Sequence, residues 1–146
     1  MASVSTYLNF QEKTEEAFNF YKSIFGGEFQ GAGIMRMGDA PPQEGMPPLS
    51  EKDKNLVMHV ELRILGVHTL MGTDSIGSCG MQTTSGNNMH VNLDPGTRAE
   101  TKRIFDRLKE GGNVTMELQD MFWGDYFGSL TDKYGINWMF NCPEKP

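Results

Sequence analysis

Apolar residues along this 146-residue chain fall into two helical patterns, each framed by alternating ones. From about Glu15 to Phe25, the positions Ala17, Phe18, Tyr21, Ile24 and Phe25 mark one buried helix face. Thr14 is placed to cap this helix and Gly26-Gly27 to stop it. From about Arg98 to Glu110, Ile104, Phe105 and Leu108 form a second stripe, ended by Gly111-Gly112. Thr97-Arg98-Ala99-Glu100 reads as its capping box, hydroxyl and carboxylate each satisfying an orphan amide. Before the first helix, Tyr7 to Phe10 alternates with Leu8 and Phe10 on one side; before the second, His90 to Leu93 does so with Val91 and Leu93. Strand-like segments follow each helix: Gly33 to Met37, Asn55 to Leu65 and Val67 to Met71, then Asn113 to Leu118, Tyr126 to Thr131 and Ile136 to Asn141. The chain is therefore expected to be α+β, two similar β-α-β-β-β halves.

The halves differ in length because the first carries an insertion over residues 38–54. Four of the seven prolines lie there, so the segment reads as irregular, either a solvated surface loop or a lid over a site. Residues 75–88, rich in Gly, Ser, Thr and Asn, read as a linker. The expected organisation is a first module over 1–74, this linker, and a second module over 89–146.

Composition narrows the function. With 38% hydrophobic and 22% charged residues the chain is globular rather than disordered. A net charge of −6 speaks against nucleic acid and anionic membranes, and no apolar run approaches the roughly 20 residues that span a bilayer. Met1 to Tyr7 lack the basic start and apolar stretch of a secretory leader. Cys79 and Cys142 form no disulfide framework or zinc spacing, so the expected setting is the reducing cytoplasm. Eleven methionines stand out, because thioethers serve both as gap-fillers and as adaptable binding surfaces.

Specific motifs add to this pattern. The run Phe122-Trp123-Gly124-Asp125-Tyr126-Phe127-Gly128-Ser129-Leu130-Thr131-Asp132-Lys133-Tyr134-Gly135-Ile136-Asn137-Trp138 resembles the closing Trp-Gly, strand, Asp-x-x-Gly, strand segment of the vicinal-oxygen-chelate superfamily. That superfamily includes glyoxalase I, bleomycin-resistance proteins and extradiol dioxygenases. Tyr7 to Phe10, Ala17 to Tyr21, Leu70 to Asp74 and Leu130 to Cys142 are similar to its PhnB-like branch, often labelled demethylubiquinone methyltransferase-like. The resemblance covers nearly the whole chain. It implies modules whose sheets curl into an open cup, usually completed as a homodimer.

The resemblance also implies four ligand positions, typically His, Glu, His and Glu, around a metal ion. Strand parity carries them onto Tyr7 (or Thr6, if no residue is dropped), Met71, His90 and Met139. Zn²⁺, Mn²⁺ and Fe²⁺ want imidazole and carboxylate, which thioethers do not replace. The expectation is a cup with no metal and no cofactor.

Other candidates come from the residues themselves. His59 and Glu61 share a face of their strand, opposite Met58, Val60, Leu62 and Ile64, and a histidine beside a carboxylate can act as general base or simply line the cup. His90 and Asn92 share a face and can hydrogen-bond a ligand, whereas His68, beside a turn, is expected in solvent. Phe122, Trp123, Tyr126 and Phe127 can stack on a planar ligand or pack at a dimer contact. Cys79 has no basic neighbour in sequence to activate it. Expected ligand-binding residues are Tyr7, Asn9, Met35, His59, Met71, His90, Asn92, Trp123 and Met139. The favoured function is binding of a small apolar or aromatic molecule, as in the drug-sequestering members of the superfamily. The alternative is a lyase, isomerase or dioxygenase-type enzyme using His90, or His59 with Glu61, with or without a metal. Methyl transfer is disfavoured, because Gly31-Ala32-Gly33 lacks the third glycine and the Rossmann setting of a nucleotide-binding turn.

Overall fold

The computed structural model describes residues 1–146, which form two compact units, Met1–Thr83 and Thr84–Pro146. In the first unit, strand β1 (Thr6–Phe10) leads into helix α1 (Thr14–Phe25), followed by β2 (Met35–Arg36), the short helix α2 (Glu51–Lys54), β3 (Val57–Ile64) and β4 (His68–Asp74). The sheet order is β1-β4-β3-β2, with β1 parallel to β4 and the other neighbours antiparallel. The second unit repeats this with β5 (Val91–Leu93), α3 (Arg98–Leu108), β6 (Asn113–Asp120), β7 (Tyr126–Thr131) and β8 (Asn137–Cys142), in the order β5-β8-β7-β6. Both sheets are open. No helix is long and apolar enough to cross a membrane.

In each unit the helix covers one side of its own sheet. Leu8, Phe10, Val60, Leu62, Ile64 and Leu70 are buried against Ala17, Phe18, Tyr21 and Ile24. Gly72 allows α1 to come close, since a Cβ there would overlap Cε1 of Phe18. In the second unit Leu93, Leu130, Trp138, Phe140 and Cys142 are buried with Ile104, Phe105 and Leu108, and Phe105 meets Phe140 edge-on at 5.3 Å. Burying these side chains away from water is what holds each helix to its sheet.

Several boundaries differ from expectation for local reasons. Thr14 is not the cap of α1 but its first residue, and Lys13 precedes it without a side-chain cap. The acceptor comes from elsewhere: Asp74 takes Thr14 N at 2.9 Å and Val57 N at 2.7 Å. Thr97 does cap α3, accepting Glu100 N at 3.1 Å, but the Glu100 carboxylate binds Arg103 instead, so only half the expected box is reciprocal. Helix α3 ends at Leu108, two residues early, and β2 keeps only Met35 and Arg36. A register irregularity between β2 and β3 turns Val57, not Met58, into the core. The segment 38–54 is not wholly irregular, for Ser50 caps α2 and Asp53 Oδ2 accepts from Ser78 Oγ. Its proline-rich middle is exposed.

Candidate functional site

The side of the first sheet away from α1 carries the side chains that alternate with the core. On β1 these are Tyr7 and Asn9, because Leu8 and Phe10 are buried. Thr6 falls on the helix side, so Tyr7 takes the first position. Register places Tyr7 beside Met71 and Met71 beside Glu61, while Met35 lies beside His59. Six of the expected residues therefore share one surface.

They also bond to one another. Tyr7 Oη lies 3.0 Å from His59 Nδ1, and His59 Nε2 lies 2.9 Å from Glu61 Oε1. The Tyr7 and His59 rings are 5.7 Å apart and tilted. The side chains of His59 and Glu61 are 29% and 33% exposed, and Tyr7 is 49% exposed, so the chain of hydrogen bonds is shielded yet reachable. Burial, and secondly the negative charge of Glu61, hold the Tyr7 hydroxyl above the usual tyrosine range. Met71 accepts from Ser5 Oγ at 3.8 Å and, with Met35, gives this polar line an apolar surround. The sequence identified each member, but not that Tyr7 would reach His59 across 52 residues.

In the second unit Met139 stands beside Asn92 and Ser129. His90, expected at the third ligand position, lies exposed just before β5, which begins at Val91, and the residue beside Met139 is Asn92. Val91 is only half-buried. Ser129 pairs in turn with Met116 and shares a 2.7 Å hydrogen bond with Thr115. The sequence did not bring Ser129, Thr115 and Met116 to this row, because nothing in an alternating strand marks a neutral hydroxyl or a thioether as part of a site. Trp123 packs edge-on against Phe122 and Phe127, at 5.1 and 5.9 Å, leaving its ring about half exposed. Tyr126 is already engaged, with the Arg98 guanidinium 4.0 Å over its ring.

His68 is not free in solvent as expected. It begins β4 half-buried, with Nε2 2.8 Å from Thr6 Oγ1. A separate concavity of about 310 Å³ at the start of α1 is walled by Glu12, Lys13, Glu15 and Glu16, and is too polar for an apolar ligand.

The donor set does not fit a catalytic metal. Taken unit by unit, Tyr7 with Met71 and Asn92 with Met139 offer no imidazole or carboxylate, and both nitrogens of His59 already have partners. No three His, Cys, Asp or Glu side chains converge.

Comparison with known proteins matches this architecture. The family model described as 3-demethylubiquinone-9 3-methyltransferase aligns with residues 2–140. Protein YjdN of Escherichia coli (strain K12) is 31% identical over 141 residues, covering 94% of this chain and 93% of that protein. The crystal structure of protein PA1353 from Pseudomonas aeruginosa matches at a TM-score of 0.82 with 30% identity, over 100% of both chains. A putative 3-demethylubiquinone-9 3-methyltransferase, PhnB protein, from Bacillus cereus matches at 0.73 with 28% identity, over 97% of this chain and 99% of that one. A glyoxylase/bleomycin resistance protein/dioxygenase domain from Frankia sp. EAN1pec, 11% identical with a TM-score of 0.65, shares the fold over 99% of this chain and 93% of that one. The chain thus belongs to the 3-demethylubiquinone-9 3-methyltransferase-like (PhnB) family and carries the glyoxalase/bleomycin resistance/dioxygenase fold.

Proposed function

We propose that this protein binds a small apolar or aromatic molecule on the open face of its first sheet, without a metal ion. The observation that carries this reading is the Tyr7–His59–Glu61 line of hydrogen bonds set beside Met71 and Met35. A largely apolar surface with a few fixed polar groups orients a small ligand while leaving its body to dispersion and hydrophobic contact. Asn9, on the same face of β1, adds an amide. On the second sheet taken by itself, Asn92 and Met139 stand side by side and Trp123 is about half exposed, and these are proposed as ligand contacts of that unit, with His90 exposed just before β5. A thermal-shift screen of neutral aromatic and alicyclic compounds, with hits followed by NMR, tests this. Hits that raise Tm and move the His59 imidazole signals support it; hits that leave those signals unmoved place the ligand elsewhere.

The His59–Glu61 pair favours a second reading, an enzyme of the lyase, isomerase or dioxygenase type in which His59 moves a proton. Turnover of a bound hit, lost in His59→Gln, would establish it, and stoichiometric metal in the purified protein would favour its metal-dependent form. Methyl transfer, despite the family's description, has little support here. Gly31 to Gly33 form an exposed turn between α1 and β2, not a strand-to-helix phosphate loop. Self-association into the homodimer belongs to the same proposal, since Phe122 is 96% exposed in the single chain. Light scattering tests it.

A further inference from the structure

The hydrogen-bond polarity of the first sheet's open face restricts what it can hold. A carboxylate oxygen only accepts, so Glu61 Oε1, 2.9 Å from His59 Nε2, assigns the ring proton to that nitrogen. In the neutral ring Nδ1 then carries the lone pair. The Tyr7 hydroxyl, 3.0 Å away, gives its single hydrogen to Nδ1. What remains for a ligand is a phenolic oxygen with lone pairs and no hydrogen. Glu61 therefore sets, through His59, the polarity that Tyr7 shows to the outside. Carboxylate–imidazole pairs commonly act this way, one ring nitrogen's partner deciding the state of the other.

We infer that this face selects molecules presenting a hydrogen-bond donor, a hydroxyl or N–H on an apolar body, over isosteres that present only an acceptor. The inference rests on the binding reading above and adds the ligand's chemical class. Met71, beside both Tyr7 and Glu61, and Met35, beside His59, have no N–H or O–H to offer an acceptor-only molecule. The Asn9 amide offers both polarities and so does not discriminate.

Three probes sharing one ring system test this: 2-naphthol, which donates and accepts, and 2-methoxynaphthalene and 2-acetonaphthone, which only accept. Affinities are read from ligand fluorescence on the full-length protein at neutral pH. Naphthol is expected to bind about 3- to 10-fold more tightly than the ether or the ketone, the span of one net hydrogen bond. In Tyr7→Phe the naphthol-to-ether ratio should fall to about one. In Glu61→Gln the side-chain amide can donate to Nε2 as well as accept, which admits the other tautomer and lets Tyr7 donate outward. There the preference for naphthol should shrink and the ketone should gain. Equal binding of naphthol and ether by the native protein overturns the donor rule and leaves the binding reading standing. Tightest binding of the ketone overturns the tautomer assignment. Binding of none of the three overturns both the rule and the aromatic-ligand reading beneath it.

Discussion

Across the open face of the first sheet, register aligns Tyr7, Met71 and Glu61; across the second it aligns Asn92, Met139, Ser129 and Met116. The two units share strand order, a parallel first-to-last pairing and a methionine at the centre of the row. They part in what surrounds that methionine. The first unit places a phenol, an imidazole and a carboxylate in bonded sequence, whereas the second places a carboxamide and a Thr115–Ser129 hydroxyl pair. Repetition of the fold has therefore not repeated the chemistry. The scaffold tolerates this because open-face side chains alternate with the core and are not needed to build it. The row of bonded ionisable side chains lies on the first sheet, whereas the row across the second sheet is made of neutral side chains.

The units also close their strands differently, and here the largest effect is expected. Asp132, 3% exposed, accepts from Tyr134 N at 2.8 Å, Ile136 N at 3.0 Å and the Trp138 indole at 2.9 Å. It shapes the turn between β7 and β8 and fixes the largest core ring of its unit. Asp74, a buried carboxylate at the end of β4 in the first unit, accepts only the amides of Thr14 and Val57. Asp132→Ala leaves three donors without that acceptor and should cost about 3–4 kcal/mol, with Asp74→Ala costing less, about 2–3 kcal/mol. Urea denaturation followed by Trp fluorescence checks the order. A larger loss for Asp74→Ala would contradict the view that the second unit depends more on its turn.

Core packing differs where the helix meets the last strand of each unit. In the first unit α1 supplies the ring, Phe18, and β4 supplies the gap, Gly72. In the second unit the strand supplies Phe140, and it meets Phe105 of α3. Gly72→Ala should therefore destabilise by about 1–3 kcal/mol through overpacking, and Phe18→Leu in the same chain should recover part of it. A double mutant no more stable than the sum of the two single losses would show that Gly72 is required by its backbone instead.

Much of this was legible in the sequence. Strand β7 begins and ends where alternation put it, and the other long strands shift by only a few residues. Asp132-Lys133-Tyr134-Gly135 announced its turn because the carboxylate acts locally, on amides two and four residues away. Tyr7, His59, Glu61 and Met71 were placed on one side because the period of a strand decides sidedness directly. What stayed hidden depended on distant partners. Asp74 took over the capping role expected of Thr14, 60 residues away. Strand β5 proved too short to include His90, and Asn92 became the neighbour of Met139. No pattern of apolar residues carries pairing over such separations.

The hairpins give a smaller test. In the first unit Leu65 and Gly66, the central residues of the turn closed by Val67 N to Ile64 O, have φ of 51° and 70°. A leucine in the left-handed region is strained, and asparagine tolerates it better. The second unit avoids this strain by placing only Gly135, φ 89°, in that region of its turn. Leu65→Asn should therefore stabilise by about 0.5–1 kcal/mol, read as a rise in Tm, if loss of the half-buried side chain does not offset it. No rise would mean that Leu65 contributes packing worth as much as its strain.

The smallest effect bears on the open faces themselves. The folded Tyr7 hydroxyl is held above the tyrosine value of 10.0, first by burial and then by Glu61. Ionisation is therefore harder in the folded chain than in the unfolded one. The resulting stabilisation is fully present below the unfolded value and is lost as pH rises through the folded one. Because Tyr7 is about half exposed, the loss should amount to only a few tenths of a kcal/mol. The tyrosinate absorbance difference between the native protein and Tyr7→Phe isolates this group, and its midpoint should lie above that of free tyrosine. Glu61→Gln removes the smaller cause and should lower the midpoint only in part, while Ser129→Ala in the second unit should leave it unchanged. A full return to the free value in Glu61→Gln would make charge, not burial, the dominant influence, and would mean a Tyr7 more open to solvent than its neighbours imply.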